Sequence, residues 1–448
     1  MAAPDFIKPF SPEETRRILR HLQQPAVFMD MTCGWPVLSW TAEHLSESLG
    51  DKLVRFRLGR KDETKTPLFE TQCSYVEAKL EHFLNWTQGQ TRTDVGPFCG
   101  YPLSEYWAYA DYKYIAMLFE DQPSKFEDVK WSEFGFEGRD GRESTLWIGT
   151  EGANTPCHLD SYGCNLVLQV QGRKRWHLFP PEDTPHLYPT RIPYEESSIF
   201  SQVDVLHPDL RRFHAFQGAR PHVVTLQPGQ VLYVPRHWWH YVESVDPVTV
   251  SVNSWIELDV DHVSRVSEAV TKTVVCALKS APSDDNTDDW LNPTEEGVGS
   301  HTENMQYVNL ALKASAQTQR SIHHRKHTQD HRDTVKRDSR GHIRTHCVKA
   351  GEPEPYRVPF GPHLVPVHCQ TENPAGAKDV DMKPSRKTEL TSADVKSQNS
   401  SGDYEASTDT TITTNDLLDC LLHPDVIALV TQLLLERHTG SQRTDSPT

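Results

Sequence analysis

The sequence predicts a mainly β fold (α+β), a sandwich or barrel of antiparallel strands with flanking helices. Short β-branched or aromatic runs, separated by Gly, Pro and Asp, fill residues 91–260, which is the pattern of such a fold. Large apolar residues become sparse over 281–410, where Ser, Thr, Asp, Asn, Pro and His dominate. Strongly apolar helical patterns return at 411–438. We therefore expect a β core, then a largely disordered segment, then a helical pair.

Residues 1–90 are predicted to form an extension of helices and strands that packs on this core. Ser11 is followed by Pro12 and Glu14, a pattern typical of a helix N-terminus. The other elements expected in this zone are strands at 26–28 and 53–58 and helices at 41–49 and 75–86.

The β core is predicted from the runs with the strongest strand pattern, which lie at 146–148, 165–170, 174–179, 223–226, 231–234 and 248–256. An amphipathic helix is expected within residues 261–280, because Val266, Val270, Val274 and Leu278 recur at helical spacing.

The segment 281–410 cannot bury enough apolar surface to offset its chain entropy, so we expect most of it to be disordered. Its basic, His-rich part at 320–346 is either a solvated tail or a stretch with a metal or RNA role. In the C-terminal helical pair, Pro424 is expected to start the second helix. A pair this apolar must dock on the chain's own domain, on a second copy or on a partner helix.

Composition argues against several classes of protein. The 448 residues carry a net charge of −16, so binding of nucleic acid by the whole chain is not expected. No apolar run approaches the ~18–20 residues of a membrane span, and the first residues do not resemble a secretory signal. The nine cysteines include no C-x-x-C pair, so neither a disulfide framework nor a structural zinc module is expected. We expect a cytoplasmic location, with the nucleus as the alternative.

The candidate chemistry begins at His158 and Asp160. A His-x-Asp on a strand places both side chains on one face of the sheet, because the strand period is two. A third ligand must come from elsewhere, and the segment 228–243 offers His240, at the start of a strand, and His237 as a competing candidate. Two imidazoles and one carboxylate form the facial triad of non-haem Fe(II) oxygenases.

Three segments carry a family resemblance, at 155–160, 165–181 and 228–243. They resemble, in the same order, the JmjC-domain family of the cupin superfamily, above all its small hydroxylase branch. The resemblance implies a double-stranded β-helix (jelly-roll) over 91–260 that binds Fe(II) and uses 2-oxoglutarate and O₂ as co-substrates. It also implies His158, Asp160 and His240 as metal ligands, because His240 follows a Trp pair as the family's ligand does.

The resemblance extends to residues that contact 2-oxoglutarate. Lys174 matches the lysine that pairs with the distal carboxylate, and Thr155 matches a hydroxyl donor to the same group. Asn165 and Asn253 match pocket asparagines, and either Tyr109 or Tyr112 matches a tyrosine contact. The other interpretation of Lys174 is a surface lysine. A structural role is predicted for four other residues. Trp238, Trp239 and Trp255 are expected in the core or the pocket wall, and Cys157 is expected to be a small side chain that fills space.

The activity implied is that of a 2-oxoglutarate-dependent dioxygenase, most of all a hydroxylase of protein side chains. An RNA-modifying hydroxylase is the enzymatic alternative, and a catalytically weak or inactive scaffold is the alternative of another class. The helix that ends VVCALKS and the C-terminal LLDCLLHPDV segment resemble a group of JmjC proteins associated with a small heat-shock protein. This implies a small heat-shock protein as partner and a role in stress response. The C-terminal helices would also suit a homodimer.

Overall fold

The computed structural model describes residues 7–61, 66–89, 94–281, 290–295, 298–334, 356–370 and 412–439. The strands are β1 Ala26–Phe28, β2 Val54–Arg60, β3 Ser74–Ala78, β4 Tyr106–Tyr114, β5 Thr145–Thr150, β6 Asn154–Asp160, β7 Cys164–Gln171, β8 Lys174–Phe179, β9 Pro189–Glu195, β10 Ser198–Ser201, β11 His222–Leu226, β12 Val231–Val234, β13 Trp239–Ser244, β14 Val248–Ile256 and β15 Leu364–Pro366. The helices are α1 Pro12–His21, α2 Ala42–Leu49, α3 Leu80–Thr87, α4 Ile115–Leu118, α5 Asp261–Lys279, α6 His301–Thr334, α7 Thr414–Leu421 and α8 Pro424–Thr439.

The strands form two antiparallel sheets, which confirms the predicted jelly-roll-like fold. The larger sheet has nine strands in the order β15-β1-β12-β7-β14-β5-β4-β2-β3, and the smaller has six in the order β11-β8-β13-β6-β10-β9. A buried cluster joins the sheets, since Val167 and Leu232 of the larger one meet Trp176, Leu178 and Val242 of the smaller one. The sheets therefore pack face to face, and the candidate site lies between them.

The N-terminal residues contribute three strands to the larger sheet. β1 pairs with β12, and β2 pairs with both β3 and β4. The helix predicted over 75–86 is wrong for its first half, which forms β3, with Val76 opposite Phe56 of β2. Pairing with a neighbouring strand outweighs the helical spacing of the apolar residues there, and a helix begins only at Leu80.

Two elements lie within 281–410, where composition predicts a disordered chain. Helix α6 packs on α5, and Val308 and Leu312 of α6 share a buried cluster with Val266 and Ala269 of α5. Strand β15 pairs with β1 along the edge of the larger sheet. Sparse apolar residues suffice here because an existing surface supplies the other half of each contact. Of the His-rich stretch 320–346, residues 335–346 and the side chains of 322–334 lie outside the described residues.

The C-terminal pair consists of α7 and α8, and α8 starts at Pro424 as predicted. Leu418 packs against Tyr194 and Val275, and Ile427 is also buried, so one face of the pair docks on the chain's own domain. No single helix in the described ranges is long and apolar enough to cross a membrane. Helices α7 and α8 are long and apolar enough only when they are taken together, and they are bent by 56° at the break between them.

Candidate metal centre and adjoining cavity

His158, Asp160 and His240 converge at one point of the smaller sheet. His158 on β6 lies directly opposite His240 on β13, and Asp160 lies two residues further along β6. One ligand atom of each residue lies within 4.8 Å of the other two. The Nε2 atoms of His158 and His240 are 3.7 and 4.0 Å from the Asp160 carboxylate. In the described part of the chain, this is the one such group of metal-binding side chains.

Hydrogen bonds fix how these side chains are presented. His158 Nδ1 lies 2.9 Å from the Pro156 carbonyl, and His240 Nδ1 lies 3.0 Å from the Trp238 carbonyl. A carbonyl can only accept, so each Nδ1 carries the proton and each Nε2 presents a lone pair to the shared point. Trp255 Nε1 donates to Asp160 Oδ2 at 3.0 Å and so orients the carboxylate.

The protonation state of His158 also suits a metal ligand. Burial, and the nearby His240, lower the pKa of His158 to about 4. The imidazole is therefore neutral near pH 7, which is the form that binds metal. Two nitrogens and one carboxylate oxygen are the donor set that favours Fe(II) with open positions.

His237, the competing candidate for third ligand, lies outside this group. It sits on the loop before β13, half-buried, with a left-handed φ of 63°. Its side chain lines a separate groove between the smaller sheet and the C-terminal helices. The structure therefore brings His240, and not His237, to the other two ligands.

A cavity adjoins His158 and His240, with a volume of about 410 Å³ that includes open solvent at its mouth. All five residues that the resemblance assigns to 2-oxoglutarate line it together with His158 and His240, namely Tyr109, Thr155, Asn165, Lys174 and Asn253. Tyr112 lines the cavity as well.

Lys174 supplies a buried positive charge to this cavity. Its side chain is only 2% exposed, so the surface interpretation is wrong. Nζ donates to Tyr109 Oη at 3.0 Å and to Ser251 Oγ at 2.9 Å. Among the described residues no carboxylate lies within ion-pair distance, and burial lowers the pKa of Lys174 to about 7. A buried cation that has no ion-pair partner among the described residues is stabilised when an anion binds beside it.

Two further features fit a carboxylate ligand. Thr155 Oγ1 is buried beside the Tyr109 hydroxyl without a hydrogen bond of normal geometry, and the residue lines the cavity together with Lys174. Asn253 accepts from Trp147 Nε1 at 2.7 Å and donates to Asn165 Oδ1 at 2.9 Å, which fixes both amides. A cation, an unpaired hydroxyl and fixed amides match the distal end of 2-oxoglutarate.

Several cavity residues are not predicted from the sequence, namely Trp147, Trp176, Ser251 and the contact of Trp255 with Asp160. The alternation of Ser251, Asn253 and Trp255 along β14 is a signal that could have found two of them, because every second residue faces the same side. Trp238 and Trp239 belong to buried clusters. Cys157 is buried, and burial raises the pKa of its thiol, which fits a filler.

Comparison with known proteins places this geometry in a family. Residues 12–262 match the cupin-like domain family. The chain belongs to the cupin-like (JmjC) domain family. It is 57% identical over 450 residues to the HSPB1-associated protein 1 homolog of Danio rerio, covering 96% of this chain and 98% of that protein. It is 50% identical over 463 residues to HSPB1-associated protein 1 of Homo sapiens, covering 96% and 95% of the two chains.

The cupin-like domain also links the chain to more distant relatives. Lysine-specific demethylase 8 of Xenopus tropicalis is 29% identical over 240 residues, which cover 52% of this chain and 48% of that protein. The similarity to the HSPB1-associated proteins, in contrast, extends beyond the cupin-like domain along nearly the whole chain. This confirms the JmjC resemblance and the narrower group implied by the C-terminal segments.

Proposed function

We propose that this protein is an Fe(II)- and 2-oxoglutarate-dependent oxygenase that hydroxylates a side chain of a protein substrate. The observation that carries the proposal is the convergence of His158, Asp160 and His240 beside a cavity that contains Lys174. The charge of Lys174 has no ion-pair partner among the described residues. Lys174 also lies where a dicarboxylate would place its distal end.

Each residue then has a definite task. The Nε2 atoms of His158 and His240 and the carboxylate of Asp160 hold Fe(II), and Trp255 orients that carboxylate. Lys174 and Thr155 bind the distal carboxylate of 2-oxoglutarate, supported by Tyr109. Fe(II) with 2-oxoglutarate supplies the activation of O₂ that hydroxylates a C–H bond, with succinate and CO₂ as co-products. Trp147 and Trp176 give the cavity part of its apolar wall.

The association with a small heat-shock protein is also part of the proposal. It is supported by the names of the two HSPB1-associated relatives, which match this chain over 96% of its length. A place in the stress response and a cytoplasmic or nuclear location stay predictions. Binding of a second copy of the chain at the C-terminal helices also stays a prediction.

The scaffold alternative has one observation in its favour. On α8, Leu429 and Leu433 are 57% and 47% exposed, while Ile427 on the same helix is buried. An exposed apolar face of this kind can bind a partner whether or not the metal centre turns over. The RNA-modifying alternative rests on the His-rich stretch, most of which lies outside the described residues.

The proposal is tested by anaerobic titration of the purified full chain with Fe(II) and then with 2-oxoglutarate. Wild type should develop the metal-to-ligand charge-transfer band of a bound 2-oxo acid, and His158→Ala should not. Arg173→Ala is the matched control, because Arg173 neighbours Lys174 but pairs with Asp246 on the surface. Well-folded wild type without the band would contradict the oxygenase and favour the scaffold.

A further inference from the structure

A group of buried charged side chains lies behind the cavity wall and has no task in the proposed function. Arg57 on β2 is fully buried, and Asp111 on β4 and Glu70 are each 3% exposed. Arg57 Nε donates to Asp111 Oδ2 at 2.6 Å. Burial of charges is costly even when they are paired, so a fully buried arginine beside a candidate site indicates a role beyond packing. The contacts of Arg57 on the side of the cavity indicate what that role is.

Arg57 reaches two parts of the cavity wall. In the pairing of β2 with β4, Arg57 lies directly opposite Tyr109, and its guanidinium carbon is 5.7 Å from the centre of the Tyr109 ring. Nη2 donates to the Asn154 carbonyl at 2.8 Å, and this carbonyl belongs to the peptide group that leads into Thr155. The rigid, planar guanidinium thus holds a side chain on β4 and the backbone of β6 at once.

Tyr109 and Thr155 are also neighbours inside the cavity. Thr155 Oγ1 lies beside the Tyr109 hydroxyl, and Lys174 Nζ donates to the same hydroxyl at 3.0 Å. These three side chains are the ones that the proposed function assigns to the distal carboxylate of 2-oxoglutarate. Arg57 therefore supports two of the three from behind. Since hydrogen bonds weaken steeply once they are misaligned, a small displacement of Tyr109 or Thr155 would weaken carboxylate binding.

Arg57 also determines the charge behind these donors. The Asp111 carboxylate lies close enough to Lys174 to raise the pKa of the ammonium group against the effect of burial, and its Oδ2 pairs with Arg57. Without the guanidinium, an unpaired carboxylate would lie behind the cavity wall. A negative charge there would repel a dicarboxylate ligand. Arg57 is thus expected to favour anion binding although it does not itself line the cavity.

We propose that Arg57 is a positioning residue for the distal carboxylate of 2-oxoglutarate. It holds Tyr109 and the backbone before Thr155 in place, and it offsets the charge of Asp111 behind them. The inference rests on the proposed function and adds to it a residue that does not contact the ligand. Through β2, the N-terminal extension is then part of the 2-oxoglutarate site and not only a layer that packs on the jelly roll.

The test compares two oxo acids that differ only at the distal end. 2-Oxopentanoate has the 2-oxo acid group and the chain length of 2-oxoglutarate, with a methyl group in place of the distal carboxylate. The full chain is loaded with Fe(II) without oxygen, and the charge-transfer band measures the Kd of each compound. Arg57→Met should raise the Kd of 2-oxoglutarate about tenfold or more. The Kd of 2-oxopentanoate should stay within about threefold of the wild-type value, because its contacts lie at the metal.

A matched control and a conservative variant accompany Arg57→Met. Arg55→Met removes an exposed arginine of the same strand, whose guanidinium lies over Tyr75 at 4.1 Å, and should bind both compounds as wild type does. Arg57→Lys keeps a cation beside Asp111 but loses the fork that reaches Asn154. Its Kd for 2-oxoglutarate should lie between those of wild type and Arg57→Met. If Arg57→Met does not fold, Arg57→Lys carries the test and should still weaken 2-oxoglutarate more than 2-oxopentanoate.

The outcomes separate this inference from the proposed function. An unchanged Kd of 2-oxoglutarate in Arg57→Met, or an equal weakening of both compounds in the folded variant, would overturn the positioning role alone. Arg57→Met should also retain its metal after dialysis, and loss of the metal would likewise overturn that role. Wild type that fails to bind 2-oxoglutarate would overturn the oxygenase proposal and this inference together.

Discussion

At the scale of single residues, Lys174 shows how burial prepares a side chain for its ligand. Its ammonium group donates to the hydroxyls of Tyr109 and Ser251 at 3.0 and 2.9 Å and lies 4.9 and 5.9 Å from the ring centroids of Tyr109 and Trp147. Neutral donors and acceptors solvate a charge less well than a counter-ion does, so the protein holds this cation at a cost that a dicarboxylate would offset.

Lys174→Ala should therefore abolish most 2-oxoglutarate binding and leave the metal in place. We expect the Kd of 2-oxoglutarate to rise about tenfold or more, because a buried charge-assisted contact is lost. Anaerobic calorimetry with Fe(II)-loaded protein measures it. Unchanged affinity would remove Lys174 from the site.

The affinity for 2-oxoglutarate should also depend on pH. The pKa of Lys174 is about 7 in the free protein, and the ligand needs the charged form. Below that value the ammonium is present already, and above it binding must take up a proton. Affinity should fall by about tenfold per pH unit above 7. Lys174→Arg, whose charge is permanent, is the control and should bind with little pH dependence between 7 and 9.

His240→Ala should remove the metal without unfolding the core. Loss of a group that hydrogen-bonds a metal ligand costs about 10–100-fold in metal affinity. A direct ligand contributes more, so we expect His240→Ala to lower the metal affinity at least about a hundredfold. Metal analysis after dialysis measures this, with circular dichroism to check the fold. His237→Ala should retain the metal, and the reverse pattern would make His237 the third ligand.

Much of the candidate site follows from the sequence at this scale, and some of it does not. The His-x-Asp spacing is a local pattern that indicates His158 and Asp160 in advance, whereas the choice of His240 over His237 depended on the family resemblance. The hydrogen bond from Trp255 to Asp160 and the contact of Ser251 with Lys174 join distant strands. Such contacts depend on the register between strands, which a single sequence does not specify.

At the scale of elements, local pattern predicts β7, β8, β12 and β14 well, because short runs of β-branched or aromatic residues are bounded by turn residues. β3 and β15 escape prediction since their strand conformation depends on a partner, β2 for one and β1 for the other. Helix α6 is similar, because α5 provides half of its buried contact. Composition indicates how much apolar surface a segment can bury by itself. These segments instead bury their apolar surface against other elements, so composition does not predict their structure.

Helix α8 offers a test of which face packs on the domain. Ile427 is 9% exposed and Leu429 is 57% exposed. Ile427→Asp should lower the free energy of unfolding by about 2–4 kcal/mol, because it buries a charge and removes apolar contact. Leu429→Asp should change it by less than about 0.5 kcal/mol. Denaturant unfolding of both variants measures the difference, and equal losses would contradict the packing described for α8.

At the scale of the whole molecule, the chain returns late to complete its larger sheet. β15 covers β1, and Leu364 is fully buried while Val365 is 41% exposed. Leu364→Asp should release β15 and uncover the edge of β1, which favours self-association through strand pairing. Light scattering should show larger species for Leu364→Asp, and Val365→Asp is the control that should stay monodisperse. Identical scattering would mean that β15 does not protect this edge.

The late return of β15 also has a consequence for biosynthesis. The last jelly-roll strand ends at Ile256, whereas the strand that covers β1 begins only at Leu364. At about 5–20 residues per second, translation needs roughly 5–20 s to cross that interval. During this time the nascent chain carries a sheet whose edge is bare, outside the ribosome and open to pairing with other chains. Chaperones that shield exposed strands would therefore be needed most during this window.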